Sequence, residues 1–267
     1  MDFWKGKTAI VIDAGADISA AIAKALMEHH VKVVGVAQTK SQLKEVARKW
    51  CKDTWYPFEC DLKKKQDIEE MFEWVETKFG GADILVNNAK IASMTSIIEG
   101  PISSYKGVIE TNIFAPAILA REFTKSVGQR NASGHIININ SINGRSAETM
   151  QIPLGIYGVS KYGLNALVTE LRRELILAKL KIKVTNVSPG AVLTDTVPIV
   201  SGGTKYAIPL LQDKDIVDAV IYALGTPQAV EIHEVTVMPQ GAPVEFTILD
   251  GRNFTRCVIR PLELFYK

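Results

Sequence analysis

Hydrophobic and polar positions alternate along the chain in two rhythms, short apolar runs and longer segments with helical spacing. Thr8 to Ile12 and Val31 to Val36 are β-branched runs typical of buried strands. Between them, apolar residues from Ile18 to His29 recur every three or four positions, which predicts an amphipathic helix. The same reasoning predicts helices over Lys40 to Lys49 and Asp67 to Phe79, and strands over Ile84 to Val86, His135 to Ile139, Lys183 to Val187 and Glu234 to Val237.

Strands that alternate with helices in this way form right-handed βαβ units. We therefore expect an α/β fold, a single Rossmann-like domain with a doubly wound parallel sheet and helices on both faces. No repeat or linker interrupts the pattern, so this domain is expected over residues 1–242. Residues 243–267 lack helical periodicity but are rich in apolar side chains, and we expect a C-terminal extension that packs on the domain or on a neighbouring subunit.

Composition and net charge limit the classes of binding partner that we expect for this chain. The 267 residues are 47% hydrophobic and carry a formal net charge of +2, which gives no reason to expect nucleic acid or an anionic membrane. No apolar run reaches the roughly 18 residues of a membrane span. The three cysteines lack metal-ligand spacing, so we expect reduced thiols and no metal. The first residues do not resemble a secretion signal, and the expected location is the cytoplasm.

Candidate chemistry begins with Tyr157, which precedes Lys161 by one helical turn. Residues four apart share a helix face, so the Lys161 ammonium is expected beside the Tyr157 hydroxyl. A nearby cation favours phenolate and lowers a pKa that is ordinarily about 10. The pair predicts a proton donor for a carbonyl or alcohol, although Tyr-x-x-x-Lys also occurs by chance on many helices.

Other motifs follow one another in an order that resembles the short-chain dehydrogenase/reductase family. They comprise Phe3 to Lys7, Asp61-Leu62, Leu85 to Ala89, Asn112, the strand from Ile137 that leads to Ser141, and Ser188-Pro189-Gly190. The resemblance covers roughly residues 4 to 240 and looks closest to the insect farnesol-dehydrogenase-like branch.

The resemblance implies a role for each of four residues. Tyr157 would be the general acid or base, and Ser141 would hydrogen-bond the substrate oxygen. Lys161 would tune the tyrosine and contact the nicotinamide ribose, and Asn112 would hold a water that links Lys161 to solvent. Ser141 precedes Tyr157 by 16 residues, slightly more than is usual in the family, and the alternative Ser146 is less well placed.

The cofactor loop departs from the family pattern. The family's Thr-Gly-x-x-x-Gly-x-Gly falls on Ile12 to Ser19, where Asp13, Asp17 and Ser19 replace the glycines. Asp13 can adopt a left-handed conformation. A carboxylate at Asp17 would face the cofactor's pyrophosphate, and at about 4 Å with an effective dielectric near 20 the repulsion is on the order of 4 kcal/mol. Asp17 is also a favoured N-cap residue, which would occupy the helix N–H groups that hold phosphate.

Two further departures point the same way. The second strand ends in Gln38-Thr39, with neither the arginine that suits NADP nor the acidic residue that suits NAD. Lys90 stands where the family has glycine, and we expect it to pair with Asp13 or Asp17; the alternative is that it binds a cofactor phosphate. The degenerate cofactor site then comprises Asp13, Gly15, Asp17, Ile18, Asp61, Asn88 and Lys90.

These features predict a divergent enzyme to which no nicotinamide cofactor binds normally. It would use the Asn-Ser-Tyr-Lys tetrad for redox-neutral acid–base chemistry, of isomerase, cyclase, dehydratase or lyase type, on a small lipophilic carbonyl or alcohol. One alternative is an NADP(H)-dependent oxidoreductase of farnesol-, retinoid- or steroid-like compounds. The other is a non-catalytic protein that binds a hydrophobic ligand.

Apolar residues near these motifs are candidates for the substrate pocket and for assembly. The expected pocket residues are Met94, Met150, Leu154, Val192 and Tyr206. The family forms dimers and tetramers through helices, and the helix of Tyr157 carries an apolar stripe at Leu164, Leu167, Val168, Leu171, Leu175 and Ile176. A homodimer or homotetramer is therefore expected, unless the stripe only faces the protein's own sheet.

Overall fold

The computed structural model describes residues 1–47, 54–92, 96–146, 154–193 and 210–241. Across these ranges seven parallel strands form one sheet in the order β3-β2-β1-β4-β5-β6-β7. Its strands are β1 Thr8–Ile12, β2 Lys32–Ala37, β3 Trp55–Glu59, β4 Ile84–Asn87, β5 Gly134–Ile139, β6 Ile182–Pro189 and β7 Glu234–Val237. The predicted single Rossmann-like sheet is confirmed.

Helices cover both faces of this sheet. They are α1 Asp17–Glu28, α2 Lys40–Ala47, α3 Lys65–Phe79, α4 Ile102–Ile109, α5 Ala115–Gln129, α6 Gly155–Leu177 and α7 Asp213–Gly225. A π-helical turn over Glu110–Phe114 joins α4 to α5, and short 3₁₀ turns occupy Asp2–Trp4 and Ile142–Gly144.

The hydrophobic core has two layers because successive side chains of a strand point to opposite faces. Ala9 and Val11 of β1 belong to the layer under α1, α2 and α7. Ile10 and Ile12 belong to the layer under α3, α5 and α6. Every residue of β1, β4, β5 and β6 is buried, as a parallel sheet covered on both faces requires.

Strand β3 was missing from the prediction. It contains Pro57, which weakens a strand assignment because proline cannot donate to a ladder. The strand lies at the edge of the sheet, where β2 is its only partner among the described strands, and Pro57 is opposite Gly35. An edge strand tolerates proline, so the position of β3 in the sheet allows a strand where Pro57 argues against one.

The apolar stripe of α6 faces the protein's own core rather than solvent. Leu164, Val168 and Leu175 are buried in the second core layer, with Leu167 and Leu171 packed against it. Ile176 is the exception, because it is 74% exposed. The stripe therefore gives no support to the expected oligomer, and residues 243–267 lie outside the described residues.

Among the described helices, none combines the length and apolar character that crossing a bilayer demands.

The close contact between Gly35 of β2 and the Trp55 ring gives a test of the packing. A Cβ at Gly35 would lie 1.9 Å from an atom of the Trp55 ring, whereas a Cβ at Gly107 of α4 would meet only an Ile91 methyl at 4.0 Å. We expect Gly35→Ala to lower the free energy of unfolding by about 3 kcal/mol through overpacking. Gly107→Ala should leave it unchanged or raise it by about 0.5 to 1 kcal/mol, because alanine favours helix. Urea unfolding of both variants measures the difference, and equal stabilities would contradict the packing described here.

Candidate active site

The candidate residues gather at the carboxyl edge of the parallel sheet. The strand order reverses direction between β1 and β4, and such a switch point opens a crevice at this edge. The turn after β1 carries Asp13 to Asp17, and Asn88 and Lys90 follow β4. Ser141 follows β5, which is the next strand in the sheet.

Ser141 and Tyr157 are brought together from different elements. Ser141 caps the 3₁₀ turn, and its Oγ accepts a hydrogen bond from the Asn143 N–H at 3.2 Å. Tyr157 lies in the first turn of α6 and is buried. Burial raises the pKa of Tyr157, and a hydrogen bond with Ser141 partly opposes this effect. The direction is opposite to the lowering expected from the sequence, because desolvation outweighs any help from the lysine in this state.

Lys161 lies beneath the tyrosine and is almost completely buried. Its Nζ is 5.9 Å from the centroid of the Tyr157 ring and donates to the Ile139 carbonyl at 3.3 Å. Burial, with a smaller contribution from the charge of Lys90, lowers the pKa of Lys161 to about 7. Lys161 can therefore gain and lose a proton near neutral pH, which an exposed lysine cannot do.

Asn112 ties the π-helical turn to two neighbouring segments. Its side-chain amide accepts from the Ile91 N–H at 2.8 Å and donates to the Ile91 carbonyl at 3.1 Å. The same amide nitrogen donates to Ser160 Oγ at 2.9 Å, and Ser160 in turn donates to the Tyr157 carbonyl at 2.7 Å. The π-helical turn thus positions an amide that braces the start of α6. Sequence reasoning gave Ser160 no role.

Buried asparagines hold the turn that carries Ser141, and they too were missed. Asn165 Nδ2 donates to the Gly144 carbonyl at 2.7 Å, while its Oδ1 accepts from Asn140 at 2.8 Å and from Asn186 at 2.7 Å. A Cβ at Gly144 would lie 2.6 Å from the Lys161 carbonyl, so the turn lies directly against α6. The available signal was Asn138 in a fully buried strand and Asn140 just after it, because buried amides need partners.

A second link joins the serine turn to the edge of the sheet. Arg145 donates to Glu234 Oε2 of β7 at 2.7 Å, and Glu234 Oε1 accepts from Ser188 Oγ at 2.5 Å. Ser188 precedes the Pro189-Gly190 segment that the family places beside the nicotinamide. The ion pair therefore connects the two loops that flank the candidate site.

The turn after β1 has left-handed φ values at two of the three positions where a glycine of the family motif is replaced. Asp13 has φ 60° and Asp17 has φ 49°, both in the left-handed region. Ser19 Oγ donates to the Ile12 carbonyl at 2.9 Å and accepts from Asn88 Nδ2 at 2.8 Å. Gly15 packs against α2, where a Cβ would lie 2.8 Å from Gln42 Cβ. The left-handed conformation expected at Asp13 is confirmed.

The expected capping role of Asp17 is wrong. Helix α1 begins at Asp17 itself, its N-cap is Ala16, and no described side chain hydrogen-bonds to the cap position. The first N–H groups of α1 thus keep their capacity to bind an anion. Ile18, the next residue, is buried in the core.

The expected ion pair of Lys90 is also not formed. Among the described residues, no carboxylate oxygen lies within 4.0 Å of the Lys90 ammonium, although its charge still influences Asp13. Desolvation by the surrounding protein raises the pKa of Asp13 to about 6; Lys90 lowers it and Asp17 raises it. The Asp13 side chain nevertheless retains an exposed surface, so water still reaches and screens its carboxylate.

The remaining candidates divide between this crevice and regions that the structure does not describe. Asp61 follows β3, and its Oδ1 accepts from the Lys63 N–H at 3.1 Å. Leu154 is the buried N-cap residue of α6, and Val192 is buried in a bridge with Leu211. Their proposed substrate contacts stay predictions, as do those of Met94, Met150 and Tyr206, which lie outside the described residues.

Comparisons with known proteins agree with this geometry. A family model described as short chain dehydrogenase matches residues 7–201. Farnesol dehydrogenase from Aedes aegypti is 38% identical over 248 residues, which cover 90% of this chain and 99% of that protein. Dehydrogenase/reductase SDR family member 11 from Gallus gallus is 35% identical over 252 residues, covering 90% of this chain and 98% of that protein. A metagenomic short-chain oxidoreductase solved in complex with NADP is 28% identical, has a TM-score of 0.74, and matches over 89% of this chain and 98% of that one.

These findings overturn the interpretation that the chain is a redox-neutral enzyme without a normal nicotinamide cofactor. The similar proteins are named as dehydrogenases, and one similar structure holds NADP. The physical error lay in treating Asp17 as a fixed, desolvated charge that also caps α1. Asp13 and Asp17 are reached by solvent, and the α1 N-terminus has no described side-chain cap.

Substitutions at two buried lysines, Lys161 and Lys183, test whether Lys161 serves the chemistry of the site rather than the stability of the fold. Lys161 donates to a single described carbonyl, and its pKa of about 7 lies below that of a lysine in the unfolded chain. Between about pH 7 and pH 10 the unfolded chain therefore binds more protons at this residue than the folded chain does. Stability must rise with pH over this window. We expect Lys161→Met to raise the free energy of unfolding by roughly 2 to 4 kcal/mol near pH 7, with the gain shrinking towards pH 10.

Lys183 is the matched control because it is buried but well bonded. Its ammonium reaches oxygens of Thr226, Pro227 and Val230 at 3.1 to 3.4 Å. Lys183→Met should lower the free energy of unfolding by about 1 to 3 kcal/mol, since these acceptors lose their donor. Urea unfolding across this pH range measures both variants. A destabilised Lys161→Met would contradict the proposed desolvation cost.

Proposed function

The chain belongs to the short-chain dehydrogenase/reductase family, and we propose that it is an NADP(H)-dependent oxidoreductase of lipophilic alcohols and carbonyls. One observation carries the proposal: Ser141 lies close enough to Tyr157 to act on the pKa of its hydroxyl, and the buried Lys161 has its Nζ 5.9 Å from the Tyr157 ring centroid. The named relatives support the class of reaction.

The residues of the crevice fit a dinucleotide. The first turn of α1 offers N–H groups without a described side-chain cap, as a pyrophosphate requires. Asn88 is 2% exposed, and its Oδ1 has no partner among the described residues, so it can accept a hydrogen bond from a bound group. Asp61 is available for adenine in the role that the family assigns to it. The two carboxylates of the turn oppose the phosphates but remain accessible to solvent.

A preference for NADP(H) over NAD(H) is supported by the segment after β2. An acidic side chain there would hydrogen-bond the ribose diol of NAD and repel the phosphate of NADP. Residues 38–42 contain no such acid, and they place Lys40 at the start of α2. Thr39 Oγ1 is held by Ser41 and Gln42, each at 3.0 Å. A lysine beside hydroxyl groups suits a phosphate better than a diol.

In the proposed mechanism, Ser141 and Tyr157 both hydrogen-bond the reacting oxygen of the substrate. Tyr157 transfers the proton: it donates in carbonyl reduction and accepts in alcohol oxidation. A bound nicotinamide cofactor supplies or takes up the hydride, which no side chain can do. Ser141 keeps the oxygen in line with the tyrosine, because the Asn165 and Arg145 contacts fix its turn.

Lys161 serves Tyr157 in two ways. Its positive charge, 5.9 Å from the centroid of the Tyr157 ring, favours the phenolate that forms when the proton leaves. With its own pKa lowered to about 7, Lys161 also returns a proton to the tyrosine near neutral pH. The Asn112–Ser160 contacts hold the backbone of this turn of α6.

The proposed substrates are lipophilic, of farnesol-, retinoid- or steroid-like type. This proposal rests on the similarity to farnesol dehydrogenase and on the apolar residues expected around the pocket, of which Leu154 is buried at the start of α6.

Assembly into a homodimer or homotetramer is proposed from a different surface than the α6 stripe. Ile102, Phe114, Val159 and Tyr162 are exposed large apolar residues on α4, the π-helical turn and α6, which contact one another. Such a surface is suited to a second copy of the chain.

Tyr157→Phe tests the proposed proton donor. It removes one oxygen, and we expect kcat with NADPH and an isoprenoid aldehyde such as farnesal to fall by about 10² to 10⁴. The dissociation constant for NADPH, measured by calorimetry, should change less than about threefold, because the hydroxyl serves the substrate.

Tyr222→Phe is the matched control, since Tyr222 is 60% exposed on α7, away from the site. It should leave kcat and NADPH affinity unchanged. Full activity of Tyr157→Phe would refute the mechanism. Failure of the wild type to bind NADPH or NADH, or tight ligand binding without turnover, would refute the proposed function.

A further inference from the structure

Lys90 occupies a fixed position in the dinucleotide crevice. It follows β4 at the switch point between β1 and β4. Asn88 Nδ2 is bonded to Ser19 Oγ at 2.8 Å on one side, and the N–H and carbonyl of Ile91 are bonded to Asn112 on the other. The Lys90 backbone is therefore held between the α1 turn and the π-helical turn.

The charge of Lys90 acts on both halves of the site. It lowers the pKa of Asp13 in the turn and the pKa of Lys161 at the reaction centre. Within the described part of the chain, no carboxylate is close enough to form an ion pair with it. Its half-buried side chain thus brings a positive charge that no described acid neutralises at short range.

This charge is needed because the turn itself is acidic. Asp13 and Asp17 keep the left-handed backbone on which the pyrophosphate approaches α1, but each adds a negative charge. A loop of glycines carries no charge, so the N–H groups of the helix that follows it can bind a phosphate without opposition. With two carboxylates beside them, a nearby cation reduces the repulsion that solvent does not already screen.

We propose that Lys90 binds the phosphates of the dinucleotide and compensates for the two aspartates of the turn. The inference rests on the proposed function, since it assigns a residue to the cofactor that this function requires. The positive charge of Lys90 then offsets the negative charges of Asp13 and Asp17 beside the bound phosphates.

Lys90→Met tests this assignment by removing the charge and keeping the chain length. We expect the dissociation constant of NADP⁺, measured by calorimetry near neutral pH and low salt, to increase by about 10- to 100-fold. Lys90→Arg should retain affinity within about threefold, because it keeps the charge. Inorganic pyrophosphate should compete with NADP⁺ in the wild type and much less in Lys90→Met.

Lys106→Met is the matched control for net charge. Lys106 lies on α4 with its side chain 76% exposed, and it pairs with Glu110. It should leave NADP⁺ affinity unchanged, and thermal unfolding should show that all the variants are folded. Equal affinity of Lys90→Met and wild type would overturn the role of Lys90 and leave the proposed function standing. An equal loss of NADP⁺ affinity in Lys106→Met would also overturn the role of Lys90. Failure of the wild type to bind NADP⁺ would overturn both the role of Lys90 and the proposed function.

Discussion

Polar side chains at the carboxyl edge of the sheet lie between two layers of helices, and they must find hydrogen-bond partners there. This constraint organises the candidate site. Asn87 of β4 is bonded to Asn138 of β5, while Asn140, just after β5, and Asn186 of β6 share Asn165 of α6. Each bond joins elements far apart in sequence, so the strand ends and α6 hold one another in place. Ser141 and Tyr157 are aligned because their supports belong to this network.

The same burial gives the site its chemistry and a cost in stability. Lys161 and Lys183 are both buried lysines, but Lys183 is surrounded by carbonyl oxygens of the α7 terminus and Lys161 reaches a single described carbonyl. A lysine with few partners is poorly solvated, and its pKa falls towards neutrality. A pKa near 7 suits Lys161 to the proposed role of proton carrier, at a position where we expect an apolar side chain to be more stable. Such a trade-off between activity and stability is common at functional sites.

The turn after β1 shows how backbone geometry can survive a change of side chain. Glycine is favoured there because φ is positive, yet aspartate is among the residues that tolerate this conformation. Asp13 and Asp17 adopt it, and the Ser19–Asn88 bond closes the turn against β4. The turn has changed its charge while keeping its shape. Lys90, which follows β4, supplies charge of the opposite sign.

Local sequence patterns were enough to predict the alternation of strands and helices, the single parallel sheet, Tyr157 on a helix, and Ser141 and Lys90 after strands. These features depend on periodicity and on motifs within short stretches of chain. Tertiary structure alone decided that Pro57 lies in an edge strand, that the α6 stripe faces the protein's own core, that Asp17 does not cap α1, and that the pKa of Tyr157 is raised. Burial, hydrogen-bond partners and charge screening arise from contacts between residues distant in sequence. Local sequence patterns therefore cannot predict them.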